Sequence, residues 1–264
     1  MAKIPTKKYN VLIYGPIGSG KTHSLRSLLD CGHEMFVIAT EPGIDKLLGD
    51  TDSDRCHWRY IPPASADWDV LQRNAELLSS LSMEALTKMK FPKDGYTQFF
   101  DVVNCCANFK CERTGQEFGA VDSWGPERVL IIDGLSGLSR MAMDLIVGAK
   151  PIKSLPEYGV AQDNLLRLIN KLLTDTKCSF VLIAHAEREK DEISGGSNLK
   201  VSTIGNKLAP EIPKNFDEVV FARREGNKFF WSSIEAGVDT KVRCLPWNSD
   251  INPNFSQLDW GYDE

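Results

Sequence analysis

Apolar residues along the chain gather in short unbroken runs. Tyr9–Tyr14 (YNVLIY), Glu34–Thr40 (EMFVIAT), Trp58–Ile61, Arg128–Ile132 (RVLII) and Ser179–Ala184 (SFVLIA) each have strand length. Runs without polar alternation are the mark of strands buried on both faces. Between them the apolar spacing changes to threes and fours. Leu25, Leu28 and Leu29 within Thr22–Asp30 follow it, as do Trp68–Ser80, Leu138–Val147 and Tyr158–Thr174, and all predict helices. After Phe216 the texture shifts again: Asp217–Ala222, Lys228–Ile234 and Lys241–Leu245 read as short strands joined by Gly turns. The expectation is one α/β domain over residues 1–264, a mostly parallel sheet flanked by helices with a β-rich C-terminal part. Residues 91–127, rich in Cys, Phe and Gly, interrupt the rhythm as an insertion.

Composition narrows the class. The chain has 264 residues, 42% apolar and 25% charged, ample to bury a core. No apolar run approaches the ~20 residues of a membrane span, and the opening MAKIPTKKYN lacks the apolar stretch of a signal peptide. Seven cysteines, an odd number spread along the chain, argue against a secreted disulfide framework. A cytoplasmic, reduced protein without membrane contact is expected. The net charge of −5 speaks against a broadly basic nucleic-acid-binding surface. The last 20 residues carry Asp250, Asp259, Asp263 and Glu264 with no Lys or Arg, leaving −1 for the rest and room for a local basic loop.

The strongest chemical signal follows the first strand. Gly15, Pro16, Ile17, Gly18, Ser19, Gly20, Lys21 and Thr22 match G-x-x-x-x-G-K-[ST] between a buried strand and a helix. Glycines permit a tight loop whose N–H groups turn toward phosphate oxygens, Lys21 supplies a compact charge for the β/γ-phosphates, and the Thr22 hydroxyl suits Mg²⁺. His23 follows on the first helical turn and completes the candidate nucleotide-binding set. ATP and Mg²⁺ are the expected cofactors.

Three further strand ends face the same crevice. Asp133 closes RVLIID, where a carboxylate can hold Mg²⁺ directly or through water. Many P-loop ATPases place a Glu immediately after that Asp, but Gly134 stands here. Glu41, closing FVIATE, is the better candidate to activate water, with Glu187 as runner-up; the alternative for Glu41 is a turn residue before Pro42-Gly43. His185, closing FVLIAH, suits a γ-phosphate sensor or a simple strand-end histidine. Lys21 belongs with Glu41 and His185 in the catalytic set.

The order of phosphate loop, Glu41, Asp133, His185, a polar stretch and then Gly205-Asn206-Lys207 resembles the RecA-like ATPases. TEPG (Thr40–Gly43), IIDGLSGL (Ile131–Leu138) and KLAPEIPKNFDEVVF (Lys207–Phe221) are most similar to the small single-domain phage proteins of single-strand annealing and recombination. The resemblance, over roughly residues 8–235, implies a DNA-contacting loop at Glu187–Ile204, mobile over 188–204. It also implies ATP hydrolysis stimulated by single-stranded DNA, and assembly into a ring or filament. A single-strand-binding protein is a further possible partner. Lys207 is the first choice for a catalytic cation acting on a neighbouring protomer's nucleotide, ahead of Arg223 and Arg224. From Ile193 to Lys214 the net charge is +2. Only about eight residues precede the first strand, where strand-exchange recombinases carry an oligomerisation segment, so long filaments and full strand exchange are not expected.

Lesser features have two readings each. Phe99, Phe100 and Phe109, with Lys110 and Arg113, make either a base-stacking surface or a small satellite core. Cys105, Cys106 and Cys111 with Cys56-His57 lack ordinary zinc-knuckle spacing, while Cys31, Cys178 and Cys244 read as packing residues. The acidic tail over 246–264, with Trp260, is a solvated end or a partner-docking peptide. Two other functions stay open: a nucleotide-gated replication accessory or loader with little hydrolysis, and a P-loop kinase of a small metabolite.

Overall fold

All five apolar runs become strands of one sheet. The computed structural model describes residues 4–51, 54–65, 68–89, 93–190 and 197–262. Its strands are β1 (Asn10–Gly15), β2 (Glu34–Ala39), β3 (Cys56–Tyr60), β4 (Arg128–Asp133), β5 (Ser179–Lys190), β6 (Ser197–Val201), β7 (Glu218–Glu225) and β8 (Lys228–Ser232). The helices are α1 (Lys21–Ser24), α2 (Ser27–Asp30), α3 (Ile44–Leu48), α4 (Trp68–Ser80), α5 (Met83–Lys88), α6 (Gln98–Ala107), α7 (Leu135–Val147), α8 (Leu155–Thr174), α9 (Gly205–Leu208) and α10 (Glu211–Lys214). The strand order is β3-β2-β4-β5-β1-β7-β8, parallel from β3 to β7 and antiparallel at β8. This is the mostly parallel α/β class expected.

Alternate residues of each central strand feed two cores. Leu12, Tyr14, Phe36, Ile38, Leu130, Ile132, Phe180 and Leu182 pack on one face with α6, α7 and α8. Val11, Ile13, Met35, Val37, Val129, Ile131, Val181 and Ile183 pack on the other with α1 to α3. Burial on both sides is why the strands read as continuous apolar runs. The predicted helix over Thr22–Asp30 divides into α1 and α2, with Leu25 and Arg26 bonded three residues back to Thr22 and His23. The tighter turns still bury Leu25, Leu28 and Leu29.

Several expectations are corrected. The stretch Lys241–Leu245, read as a strand, makes one bridge to Val219 and then wraps around a buried carboxylate. Glu218 accepts backbone N–H groups of Arg243 (3.1 Å), Cys244 (2.8 Å) and Leu245 (3.2 Å). Those donors need an acceptor, and the carboxylate replaces a ladder. Cys244 is exposed there instead of packed, whereas Cys31 and Cys178 are buried. The insertion forms no separate satellite: Phe99, Phe109, Cys111 and Trp124 join the core on the β2 face, Phe100 alone of the three phenylalanines being exposed. Arg113 stacks 4.8 Å over Trp58 and donates to the Cys56 carbonyl at 2.7 Å. Among the described residues no group of three or more His, Cys, Asp or Glu is placed to hold a metal ion.

The chain end is not a solvated tail. Ile251, Phe255, Leu258 and Trp260 are buried in the second core. Trp260 meets His33 and Tyr9 edge-on at 4.1 and 5.1 Å and donates Nε1–H to the Phe255 carbonyl at 2.9 Å. Asp263 and Glu264 lie outside the described residues. Among the described residues no helix is long and apolar enough to cross a membrane.

Candidate functional site

The phosphate loop leaves β1 at Gly15 and enters α1 at Lys21. Gly15 has a tertiary reason to be glycine: a Cβ there would lie 2.1 Å from the Ala222 carbonyl oxygen of β7. Gly18 and Gly20 adopt φ of +74° and +82°, the left-handed region that turns successive N–H groups inward. Ser19 Oγ donates to the Pro16 carbonyl at 2.8 Å and braces the bend. Lys21 is buried, its Nζ donating to the carbonyls of Pro16 (2.7 Å) and Gly15 (3.0 Å). Burial lowers its pKa, while the charges of Asp133 and Glu41 oppose that shift.

Thr22 and Asp133 meet across the cleft, the Thr22 hydroxyl hydrogen-bonding the carboxylate. Burial, helped by Glu41, raises the Asp133 pKa to about 6 against that bond and the charge of Lys21. A half-buried carboxylate beside a hydroxyl and an ammonium is a donor set that fits a divalent cation and a polyphosphate together.

Glu41 and His185 form the second pair. His185 Nε2 stands 3.1 and 3.0 Å from the two carboxylate oxygens of Glu41, and its Nδ1 is buried without a hydrogen-bond partner. Gly134 makes room for this pair. At φ +111° a Cβ on Gly134 would fall 2.3 Å from Thr40 Oγ1 and 3.0 Å from Glu41 Cγ. Thr40 itself is buried and donates to the Gly134 carbonyl at 2.6 Å. Glutamate after Asp133 and glutamate at position 41 are thus alternative uses of one space.

Gly18 to His23, Glu41 to Ile44, Asp133, Gly134 and Ile183 to His185 line one cleft of about 320 Å³. Gly15, Pro16 and Ile17 do not line it; Pro16 and Ile17 lie on the outside with exposed side chains. His23 is exposed at the rim. Glu187 is on β5 beyond the cleft and accepts from Ser202 Oγ at 3.3 Å. Lys207 is exposed on α9, also outside it. Arg223 is tied to Glu225, Glu235 and Asp250, and Arg224 lies exposed over Phe229.

The stretch expected to be a mobile loop is, in its described part, a two-stranded arm. β5 runs past His185 and pairs antiparallel with β6, Ala186 opposite Val201 and Lys190 opposite Ser197. Residues 191–196 lie outside the described residues. Ser202 N–H donates to the His185 carbonyl at 2.8 Å, so the arm begins on the histidine itself. Its basic balance is offset locally, because Lys200 pairs with Glu189 and Lys214 with Glu211. Sequence reasoning missed Thr40, although it immediately precedes Glu41, and missed the contact of Phe229 with the loop, which has no local signal.

The AAA_24 family model, described as an AAA domain, matches residues 7–244. None of the curated proteins matches the sequence. Among solved structures the chain is similar to the RadB recombinase at 11% identity and TM-score 0.35, over 89% of this chain and 84% of that one. It is similar to a prototypical ATPase from the type III secretion system of pathogenic bacteria at 14% identity and TM-score 0.41, over 84% and 54%. The type III secretion ATPase EscN of enteropathogenic E. coli matches at 14% identity and TM-score 0.38, over 82% and 43%. The chain therefore spans about half the length of those two secretion ATPases. With its phosphate loop between β1 and α1 and a family match over residues 7–244, the chain belongs to the AAA_24 family, an AAA domain.

Proposed function

We propose that the protein hydrolyses Mg·ATP in the cleft between the phosphate loop and the ends of β2, β4 and β5 and couples this to single-stranded DNA, assisting annealing or recombination. The observation that carries the reading is the double attachment of His185. Its ring holds Glu41 and its carbonyl holds the arm at Ser202, so one residue touches both the candidate base and the candidate DNA element.

In this reading the loop N–H groups and Lys21 bind the triphosphate, Lys21 leaving the carbonyls of Gly15 and Pro16 for phosphate oxygens. Thr22 and Asp133 would hold Mg²⁺, which would supply positive charge to offset that of the phosphates. Glu41 takes a proton from a water in line with the γ-phosphate; the water oxygen bonds to phosphorus as the bond to the β-γ bridging oxygen breaks, giving ADP and phosphate. His185 orients Glu41 and transmits its displacement to the arm. Lys207, exposed and outside its own cleft, acts on a neighbouring protomer's nucleotide in a ring or filament.

The test is steady-state ATP hydrolysis with and without single-stranded DNA, with Lys21→Ala as the blank. A rate raised by DNA and flat in the blank is the expected result. A rate indifferent to DNA removes the arm's role, and nucleotide binding without turnover favours a gated accessory protein instead.

A further inference from the structure

Strand order orients a bound triphosphate. Glu41, Asp133 and His185 stand on β2, β4 and β5 or directly after them, all on one side of β1, while β7 and β8 stand on the other. A triphosphate whose terminal phosphate faces the carboxylates therefore sends its ribose and base toward the β7–β8 hairpin.

An aromatic ring waits on that side. Phe229 of β8 packs against the phosphate loop so closely that a Cβ built on Gly20 would lie 2.9 Å from its Cδ1 and 3.2 Å from its Cγ. The ring is nevertheless 38% exposed, whereas Trp231, two residues on along the strand, is buried in the core. Core packing thus explains Trp231 and leaves Phe229 exposed beside the loop. The Arg224 guanidinium lies 5.6 Å over the Phe229 ring, and Arg224 Nε donates to the Gly226 carbonyl at 2.6 Å. Strand pairing sets the two residues directly opposite each other, Arg224 against Phe229.

We propose that Phe229, backed by Arg224, is the stacking platform for the nucleobase. This deepens the nucleotide reading above and rests on it. Rings and guanidinium planes bind bases by their faces, since every base has a π-face. The platform therefore rewards ring area, favouring purine over pyrimidine nucleoside triphosphates.

Calorimetric titration with Mg·ATP and with inorganic tripolyphosphate, on wild type, Phe229→Leu and Phe229→Trp, tests it. Leucine keeps an apolar contact with Gly20 and removes the π-face; tryptophan restores one. The expected result is ATP binding about tenfold weaker in Phe229→Leu, tripolyphosphate binding changed less than about twofold, and recovery in Phe229→Trp. Equal weakening for both ligands would overturn the proposal, because the ring then merely supports the loop. Unchanged ATP affinity overturns it too. If wild type binds tripolyphosphate as tightly as ATP, the platform falls while the phosphate loop stands. If wild type binds neither, the nucleotide reading fails and takes the platform with it.

Discussion

Glu41 and His185, 144 positions apart, meet so that both carboxylate oxygens lie 3.0–3.1 Å from a single imidazole nitrogen. The pair lines the same cleft as Lys21 and Asp133. Replacing Glu41 by Gln keeps the shape and removes the proposed proton acceptor. ATP turnover is expected to fall by about a hundredfold or more with ATP affinity little changed, read by steady-state rates beside equilibrium titration. Wild-type turnover in Glu41→Gln would remove it from the chemistry.

Gly134 is the spatial condition for that pair. An Ala there adopts a strained positive φ and drives its Cβ into Thr40 Oγ1, which would sit 2.3 Å away. Gly134→Ala is expected to cost about 1–3 kcal/mol of stability and to lower kcat more than nucleotide affinity. Thermal melts and ATPase rates check both halves; unchanged kcat in a folded variant would dissociate Gly134 from Glu41.

His33 makes stability depend on pH. Its ring is fully buried against Trp260, with Nδ1 3.3 Å from the Glu127 carbonyl and Nε2 without a partner. Burial lowers its pKa from 6.5 to about 4. Between these values the unfolded chain binds a proton that the folded one refuses. Its contribution is therefore complete above pH 6.5 and is lost as pH falls toward 4, by about 2–3 kcal/mol. Urea melts at pH 7 and pH 4.5 should show a smaller loss for His33→Phe than for wild type. Equal losses in both would place the pH sensitivity elsewhere.

The last strip of chain is part of the core. Trp260→Ala removes a ring buried against Tyr9 and His33 and is expected to destabilise the fold by about 3–5 kcal/mol. A melting temperature equal to wild type would mean that this segment docks without contributing.

Action of Lys207 on a neighbour has its own signature. Lys207→Ala and Lys21→Ala subunits, each inactive alone, should recover part of the ATPase when mixed, because an intact cleft then meets an intact lysine. No recovery at any mixing ratio would count against action in trans.

Much of this was legible one residue at a time. The strands were visible because burial on both faces demands unbroken apolar runs, and the phosphate loop because its glycines, lysine and threonine are each required locally. Glu41, Asp133 and His185 could be nominated from strand ends, since parallel strands deliver their C-terminal ends to one edge. The adjacency of Glu41 and His185 could not, because it depends on β4 lying between β2 and β5. The chain end misled for a related reason: its acidic residues signal solvent, and nothing local to the segment tells that Ile251, Phe255, Leu258 and Trp260 are buried. Their burial depends on an open sheet face that other segments create.

The sequence by itself determined the elements, the loop and the carboxylates available to it, all short-range properties of residue type and spacing. Tertiary structure alone decided which of these touch. It put Ala222 against Gly15, Thr40 and Glu41 into the space left by Gly134, Ser202 on His185, and Phe229 on Gly20. Such contacts join segments tens to hundreds of residues apart, and no local periodicity encodes the order in which strands assemble.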